Sequence, residues 1–366
     1  MIRVRLLADD LTGALDASAE LAALAGPVGV SWTVRHAVAG SAALDLGTRE
    51  GTRAAAIGAA RAAASLLGEA DLAFLKLDSL LRGHGMAELG AILSQGCFAH
   101  CIVAPAFPHQ GRFTRGGRQF RRAPDGTVEE VADVVGLLAA AGIAARPATA
   151  GAPPAGGVTV FDADTDADLD RVAALARTLP GPVLWCGSAG LASALARTEV
   201  PRAAPTLDGP VLGLFGSDQA VTAAQLSACG RRWMTLPDGS AASAARVAGA
   251  LGRDGVALAS LALPGGLGRA EAAARIAEGL GALALRLPRP GTLLVAGGET
   301  LRALCGTLGA ESLAVTGQIE PGLPVSALRG GRWDGLRVVS KSGAFGGPTL
   351  WRDLVAPFLL TADATP

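Results

Sequence analysis

The stretch "MIRVRLLADDLTGALDASAELAAL", residues 1–24, decides the architecture. An apolar run near residues 3–8 stops at two aspartates, and from 13 to 24 small and apolar residues recur at helical spacing. The segment therefore reads as strand, acidic loop, helix. A strand that leads straight into a helix belongs to a parallel sheet, because a parallel partner is reached only through a crossover. The same grammar continues outward from it, with strands expected near 28–34, 41–46, 71–77, 100–104, 157–161 and 182–186 and a helix over 52–67. It resumes in "PVLGLFGS" (210–217), "VALASLAL" (256–263), "TLLVAGGE" (292–299) and "LRVVSKSG" (336–343). The fold class expected is α/β: two domains, each with a mainly parallel sheet flanked by helices, and an active site in the cleft between them. The proline-rich "EVPRAAPTLDGP" (199–210) is the expected linker, giving domains 1–200 and 208–366. Within 110–156, "HQGRFTRGGRQFRRAPDG" reads as a mobile loop and "ARPATAGAPPAGG" as a surface connection.

Composition narrows the partners. Half of the 366 residues are hydrophobic, yet aromatics are 4% and tyrosine is absent, so the core must be built from Ala, Val and Leu. A formal net charge of zero provides no field to attract nucleic acid or an anionic membrane. A small molecule is the expected partner, and homo-oligomeric assembly is left open. The first apolar run meets Asp9 and Asp10 too soon for a secretory signal, and "VVGLLAAAGIAA" (134–145) falls short of the roughly 20 residues that span a bilayer. Five irregularly spaced cysteines then read as reduced thiols of a cytoplasmic protein.

Ligands of parallel sheets bind beyond the carboxyl ends of the strands. In the first half those ends carry "ADDLTGALD" (8–16), "LDLGTRE" (44–50), "KLDSLLRGHG" (76–85) and "APAFPHQGR" (104–112). Carboxylates, hydroxyls and guanidinium forks in that mixture suit a polyhydroxylated acid, which points to Asp9, Asp10, Asp78, Ser79, Arg49, Arg82 and Arg112. Asp10 or Thr12 also suits the cap of the first helix. In the second half the strand ends carry "FGSD" (215–218), "AGGET" (296–300), "EPGLP" (320–324) and "KSGAFGG" (341–347). Loops this dense in glycine let backbone N–H groups converge on phosphate, and a helix starting near Thr300 adds its positive end.

The chain has thirty arginines and only two lysines, Lys76 and Lys341. A composition so biased toward arginine should keep lysine only where a compact ammonium fits and a planar fork does not. One falls in each half, each at a strand-end loop. That division suits an enzyme moving a phosphoryl group between two substrates. Such chemistry asks for a phosphate cradle, Mg²⁺, a cation and a carboxylate base. Asp10 or Asp9 is the expected base or metal partner, Lys341 the expected donor-side cation and Glu299 an indirect Mg²⁺ contact, while the metal ligands themselves are not readable.

The motifs "ADDLTGALD", "KLDSLLRGHG", "APAFPHQGRFTRGG", "CGSAGLA", "GGET", "EPGLP" and "SKSGAFG", in this order, resemble the four-carbon acid sugar kinase family over nearly the whole chain. The resemblance implies an N-terminal domain for an acid sugar such as threonate, erythronate or a 3-oxo-tetronate. It also implies a C-terminal domain for ATP, with a 4-phosphate as product. By motif, Asp9, Asp10, Thr12, Lys76, Asp78, Ser79 and Arg82 fall on the sugar side. Ser217, Gly297, Gly298, Glu299, Thr300, Gly322 and Lys341, Ser342, Gly343 through Gly346 fall on the nucleotide side. The chain departs from the family pattern in "RQFRRAPDGTVEEVADV", which follows "GRFTRGG".

Two rivals come from other classes. A dinucleotide-dependent dehydrogenase would need GxGxxG after the first strand, where "ADDLTG" places two negative charges instead. A non-catalytic acid-sugar binding protein would keep the first half's pocket without turnover. Cys97 and Cys101, flanking His100, read as buried structural thiols, and His36, His84 and His109 as scattered loop residues. "DADTDADLD" reads as an acidic helix N-terminus rather than a calcium loop.

Overall fold

Strands buried along their whole length, such as Val4–Ala8 and Leu72–Lys76, can exist only where both sheet faces are covered. The computed structural model describes residues 1–33, 40–68, 70–123, 125–153, 156–176, 178–197 and 206–359. His36, the end of the strand expected at 28–34 and most of the expected linker lie outside them. The chain divides into two compact units, Met1–Pro201 and Arg202–Pro366.

In the first unit the strands are β1 (Val4–Ala8), β2 (Val28–Ser31), β3 (Ser41–Asp45), β4 (Leu72–Lys76), β5 (His100–Ala104), β6 (Arg112–Arg115), β7 (Arg118–Arg122), β8 (Val128–Asp133), β9 (Ala145–Ala148), β10 (Gly157–Phe161) and β11 (Val183–Gly187). Eight of them run in the order β2-β3-β1-β4-β11-β5-β10-β9, with every pairing parallel. Their carboxyl ends share one side, so the loops after β3, β1 and β4 are neighbours. The helices are α1 (Leu11–Ala25), α2 (Arg53–Leu67), α3 (Gly85–Leu93), α4 (Val134–Ala140), α5 (Asp166–Ala176) and α6 (Ala189–Ala196). Alanine does what the composition foretold: α2 buries Ala60, Ala63, Ala64 and Leu67 against the core that Leu7, Leu75 and Val103 share.

β6, β7 and β8 form a separate antiparallel sheet. This corrects the expectation of a mobile loop. The "RGGR" stretch turns at Gly116 and Gly117, both with positive φ, and Phe113 stacks on Phe120 with ring centroids 5.4 Å apart. "DADTDADLD" behaves as expected, since Thr165 and Asp168 exchange hydrogen bonds at the start of α5.

The second unit contains β12 (Val211–Phe215), β13 (Trp233–Leu236), β14 (Val256–Leu261), β15 (Thr292–Ala296), β16 (Ser312–Gln318), β17 (Pro324–Arg329) and β18 (Arg337–Lys341). Its order is β13-β14-β12-β15-β18-β17-β16, parallel through β18 and antiparallel at β17 and β16. The helices are α7 (Ala220–Ser227), α8 (Ala241–Asp254), α9 (Arg269–Arg286), α10 (Gly298–Thr307) and α11 (Leu350–Val355). The core packs Phe215, Leu258, Leu294 and Val339 around the fully buried Trp351. Among the described residues no helix is long and apolar enough to cross a membrane.

Candidate active site

In the first unit the site begins where β1 stops. Asp10 leaves the strand in extended conformation and caps α1, accepting from the Gly13 N–H at 2.9 Å and the Thr12 hydroxyl at 2.5 Å. Gly13 is obligatory for space, because a Cβ there would lie 2.6 Å from Asp10 Oδ1 and 3.4 Å from Lys76 Nζ. Asp9, 2% exposed, turns the other way. Its carboxylate receives both Nε (2.8 Å) and Nη2 (2.7 Å) of Arg49, while its carbonyl accepts from the backbone of Thr48 and Arg49.

Arg49 is shared further. Nη2 lies 2.7 Å from Asp10 Oδ1 and 3.8 Å from Asp78 Oδ1. Burial alone would lower the Arg49 pKa, but Asp10 and Asp9 drive it above the ordinary value. Burial raises Asp9, with Arg49 opposing. Nε and Nη2 of Arg49 thus engage protein carboxylates, and the residue fixes where Asp9 and Asp10 stand.

The loop after β4 wraps around Asp78, whose Oδ2 accepts from the Leu80 and Arg82 N–H groups while its carboxylate takes a two-pronged contact from Arg82. Leu81 holds φ 55°, unusual for leucine, which closes this turn. Burial would raise Asp78, but Arg82 and Arg49 together hold it well below the usual carboxylate range. Lys76 is 6% exposed and donates to the Leu77 carbonyl at 2.7 Å, from where its charge reaches Asp9, Asp78 and Asp16. Ser79 is buried. A pocket of about 280 Å³ opens beside this loop, lined by Asp78, Leu81, Arg82, His84, Met86 and Leu137. His84 binds the Gly51 carbonyl through Nε2 at 2.8 Å and so ties the Arg49 loop to this one.

Arg112 enters from β6, half-buried, with Nη1 3.0 Å from Gln110 Oε1. Gln119 of β7, fully buried, donates to the carbonyls of Ser79 (2.9 Å) and Pro105 (3.3 Å). The small sheet is thereby fastened to both the Asp78 loop and the loop after β5.

Two buried carboxyls here escaped the sequence reading. Glu88, wholly buried on α3, accepts from Thr48 Oγ1 at 2.5 Å, and burial pushes it up to about 7. Asp16 on α1 is likewise pushed up to about 7 by burial, with Lys76 opposing, and its Oδ1 has no hydrogen-bond partner among the described residues. An acid inside an otherwise apolar helical stripe was the available signal for each.

In the second unit the loops after β12, β15 and β18 converge. A Cβ on Gly343 would overlap Ser217 Oγ, one on Gly297 would come 3.6 Å from Ser217 Cβ, and one on Gly216 would overlap Thr300 Oγ1. Gly297 has φ 101° and caps α10, whose first residues Gly298, Glu299 and Thr300 leave their N–H groups at a helix start. Such bare backbone around Ser217 fits a phosphate. Glu299 is exposed, its carboxylate 3.9 Å from Arg269.

Lys341 corrects an expectation. It is 1% exposed, and its Nζ donates inward to Thr222 Oγ1 (3.2 Å), the Ser342 carbonyl (3.1 Å) and the Gly343 carbonyl (3.0 Å). Burial pushes its ammonium down to about 7. Two donations go to carbonyls of its own loop and the third to Thr222 of α7, so Lys341 shapes the cradle rather than presenting a cation to it. Thr222 and Gln225 of α7, both missed in the sequence, complete the scaffold: Thr222 donates to Gly343, and Gln225 donates to the carbonyls of Phe345 and Gly347. Gly322 leaves room for Phe345, 2.7 Å from where a Cβ would stand, and Gly346 for Leu350 at 2.6 Å. Both glycines support the loop by packing.

The glycines of "CGSAGLA" are likewise structural, since a Cβ on Gly190 would lie 2.7 Å from the Ala106 carbonyl oxygen. Cys101 is buried as expected, but Cys97 is exposed, because it lies in the irregular surface segment between α3 and β5.

The fold and these two sites define a two-unit α/β protein with a carboxylate–guanidinium cluster in one unit and an anion cradle in the other. Residues 4–132 match the sugar-binding N-terminal domain and residues 240–350 the nucleotide-binding C-terminal domain. The chain is 33% identical to a D-threonate kinase of Cupriavidus necator (76% of this chain, 78% of that one) and 31% to a D-threonate kinase of Bordetella bronchiseptica (94% of each). It is 29% identical to a D-erythronate kinase of Heliobacterium modesticaldum (78% of this chain, 80% of that one). A crystal structure of a Salmonella typhimurium protein, 21% identical, shares the fold with a TM-score of 0.74 over 99% of both chains. The chain belongs to the four-carbon acid sugar kinase family.

Proposed function

We propose that the protein transfers the γ-phosphoryl group of ATP to the terminal C4 hydroxyl of a four-carbon acid sugar of the threonate, erythronate or 3-oxo-tetronate class. The observation that carries this reading is Asp10. Of the carboxylates around Arg49 its side chain is the most open, at 21% against 10% for Asp78 and 2% for Asp9, and it is held by α1 and Arg49. A fixed and partly open carboxylate is what a sugar hydroxyl needs to surrender its proton. Asp10 accepts that proton as the hydroxyl oxygen bonds to phosphorus and the bond to ADP breaks. Asp9 stays clamped as the anchor of Arg49. Asp78, Ser79, Arg82 and Arg112 orient the acid, with Thr12 and Lys76 beneath.

On the nucleotide side, Ser217, Gly297, Gly298, Thr300, Ser342 and Gly343 surround the phosphates. Among the described residues no group of three or more His, Cys, Asp or Glu is placed to hold a metal ion. Mg²⁺ fits nonetheless as a companion of the nucleotide, bound mainly by phosphate oxygens and water, with Glu299 as an indirect contact. It would neutralise phosphate charge. A cytoplasmic setting agrees with ATP use and with five free cysteines.

The test is ADP release by purified protein with Mg-ATP and a panel of four-carbon acids. ADP formed only when a given acid is present supports the proposal and names the substrate. Tight acid binding without ADP from any member would make the protein a binding module instead.

A further inference from the structure

We propose that Arg112 receives the substrate's carboxylate and thereby makes the site select acids over neutral sugars. The inference rests on the kinase reading and deepens it. Besides Arg53, which lines the pocket from an exposed position at the start of α2, three arginines reach the first-unit site, and two of them are already engaged. Arg49 has Nε and Nη2 on Asp9, with Nη2 also on Asp10, and Arg82 has Nε and Nη2 on Asp78. A carboxylate is bound best by a free pair of parallel N–H groups. Arg112 keeps that pair: its only side-chain hydrogen bond among the described residues is from Nη1 to Gln110, and its Nε is buried without a partner.

A buried guanidinium N–H without a protein acceptor is costly unless a ligand completes it. No carboxylate among the described residues lies within ion-pair distance of Arg112, and the fields of Arg82 and Arg121 reach it together with that of Asp78. The position is also rigid. Arg112 and Phe107 exchange backbone hydrogen bonds at 2.9 and 3.1 Å, and Gln119 fixes the same small sheet to the Ser79 carbonyl. A four-carbon acid with its carboxylate on Arg112 would spread its hydroxyls over the neighbouring Asp78 loop.

Calorimetric binding of D-threonate and D-erythronate without nucleotide, alongside steady-state kinetics, provides the test. Arg112→Ala should weaken binding of the preferred acid and raise its KM by about 100-fold or more, with the KM for ATP within about twofold of wild type. Arg112→Lys, which keeps charge but loses the fork, should recover only part of this, and ethylguanidinium added to Arg112→Ala should recover more. The matching neutral tetritol should be used equally poorly by wild type and variant. If wild type is active and Arg112→Ala keeps its acid KM, or loses acid and tetritol alike while melting normally, the assignment to the carboxylate is overturned and the kinase reading stands. If wild type binds the acids without turnover and Arg112→Ala abolishes that binding, Arg112 is upheld and the kinase reading falls. If wild type binds no four-carbon acid, both fall.

Discussion

At Lys341, one of two lysines in this arginine-rich chain, the ammonium donates in three directions from a small volume. Lys341 uses all three, two on carbonyls of the β18 loop and one on Thr222 of α7, so the residue that looked like a ligand cation is a loop former. Lys341→Met would leave the Ser342 carbonyl and the Thr222 hydroxyl without the ammonium donor, while the Gly343 carbonyl keeps its bond from Thr222, at a cost of about 1–3 kcal/mol. The variant should melt several degrees lower and show an ATP KM raised about tenfold, with acid binding unchanged, and Lys341→Arg should not restore it. Calorimetry for each ligand separates these effects. Asp16 and Glu88 carry a different prediction. Folding raises both to about 7 from the ordinary carboxylate range, so between about pH 4 and pH 7 the folded state holds protons that the unfolded chain has released. Stability conferred by these groups is therefore complete below about pH 4 and declines as pH rises to about 7. Asp16→Asn should flatten the denaturation-derived stability curve over that window by up to ~4 kcal/mol, leaving the Glu88 share in place.

At the scale of elements, loops matter as much as strands. The β6–β8 sheet brings Arg112 to the site and is fastened there by the Gln119 side chain. Gln119→Ala removes two hydrogen bonds to loop carbonyls and should raise the KM for the acid about three- to tenfold while leaving that for ATP alone. A Gln119→Glu variant should fare no better, since a carboxylate would face the same two carbonyls. In the second unit, Gly343→Ala would drive a methyl group into Ser217 at the centre of the cradle. Loss of ATP binding by at least tenfold, with the melting temperature moved by only a few degrees, is the expected result of titration and thermal scanning. The parallel strands and the alanine-rich helices were legible from periodicity alone. The small antiparallel sheet was not, because its strands are mostly exposed, carry arginine and glutamate instead of an apolar alternation, and are stabilised by cross-strand ion pairs such as Arg118–Glu130.

Over the whole molecule, thirty-two basic and thirty-two acidic side chains cancel, and the isoelectric point is about 6.9. With so little net repulsion near neutrality, low-salt solubility should pass through a minimum near pH 7 and recover by about pH 8.5. Turbidity across pH at fixed protein concentration would show it. The sequence by itself determined the α/β class, the strand ends at which polar residues gather, and the family, because apolar periodicity and contiguous motifs are local properties of the chain. Only the tertiary structure decided which charges are spent on one another. Asp9 meets Arg49, Asp78 meets Arg82 and Lys341 turns inward to its own loop and to Thr222 of α7, whereas Arg112 keeps a free edge. Pairing of this kind depends on distances between loops from different strands, and a linear pattern does not contain those distances.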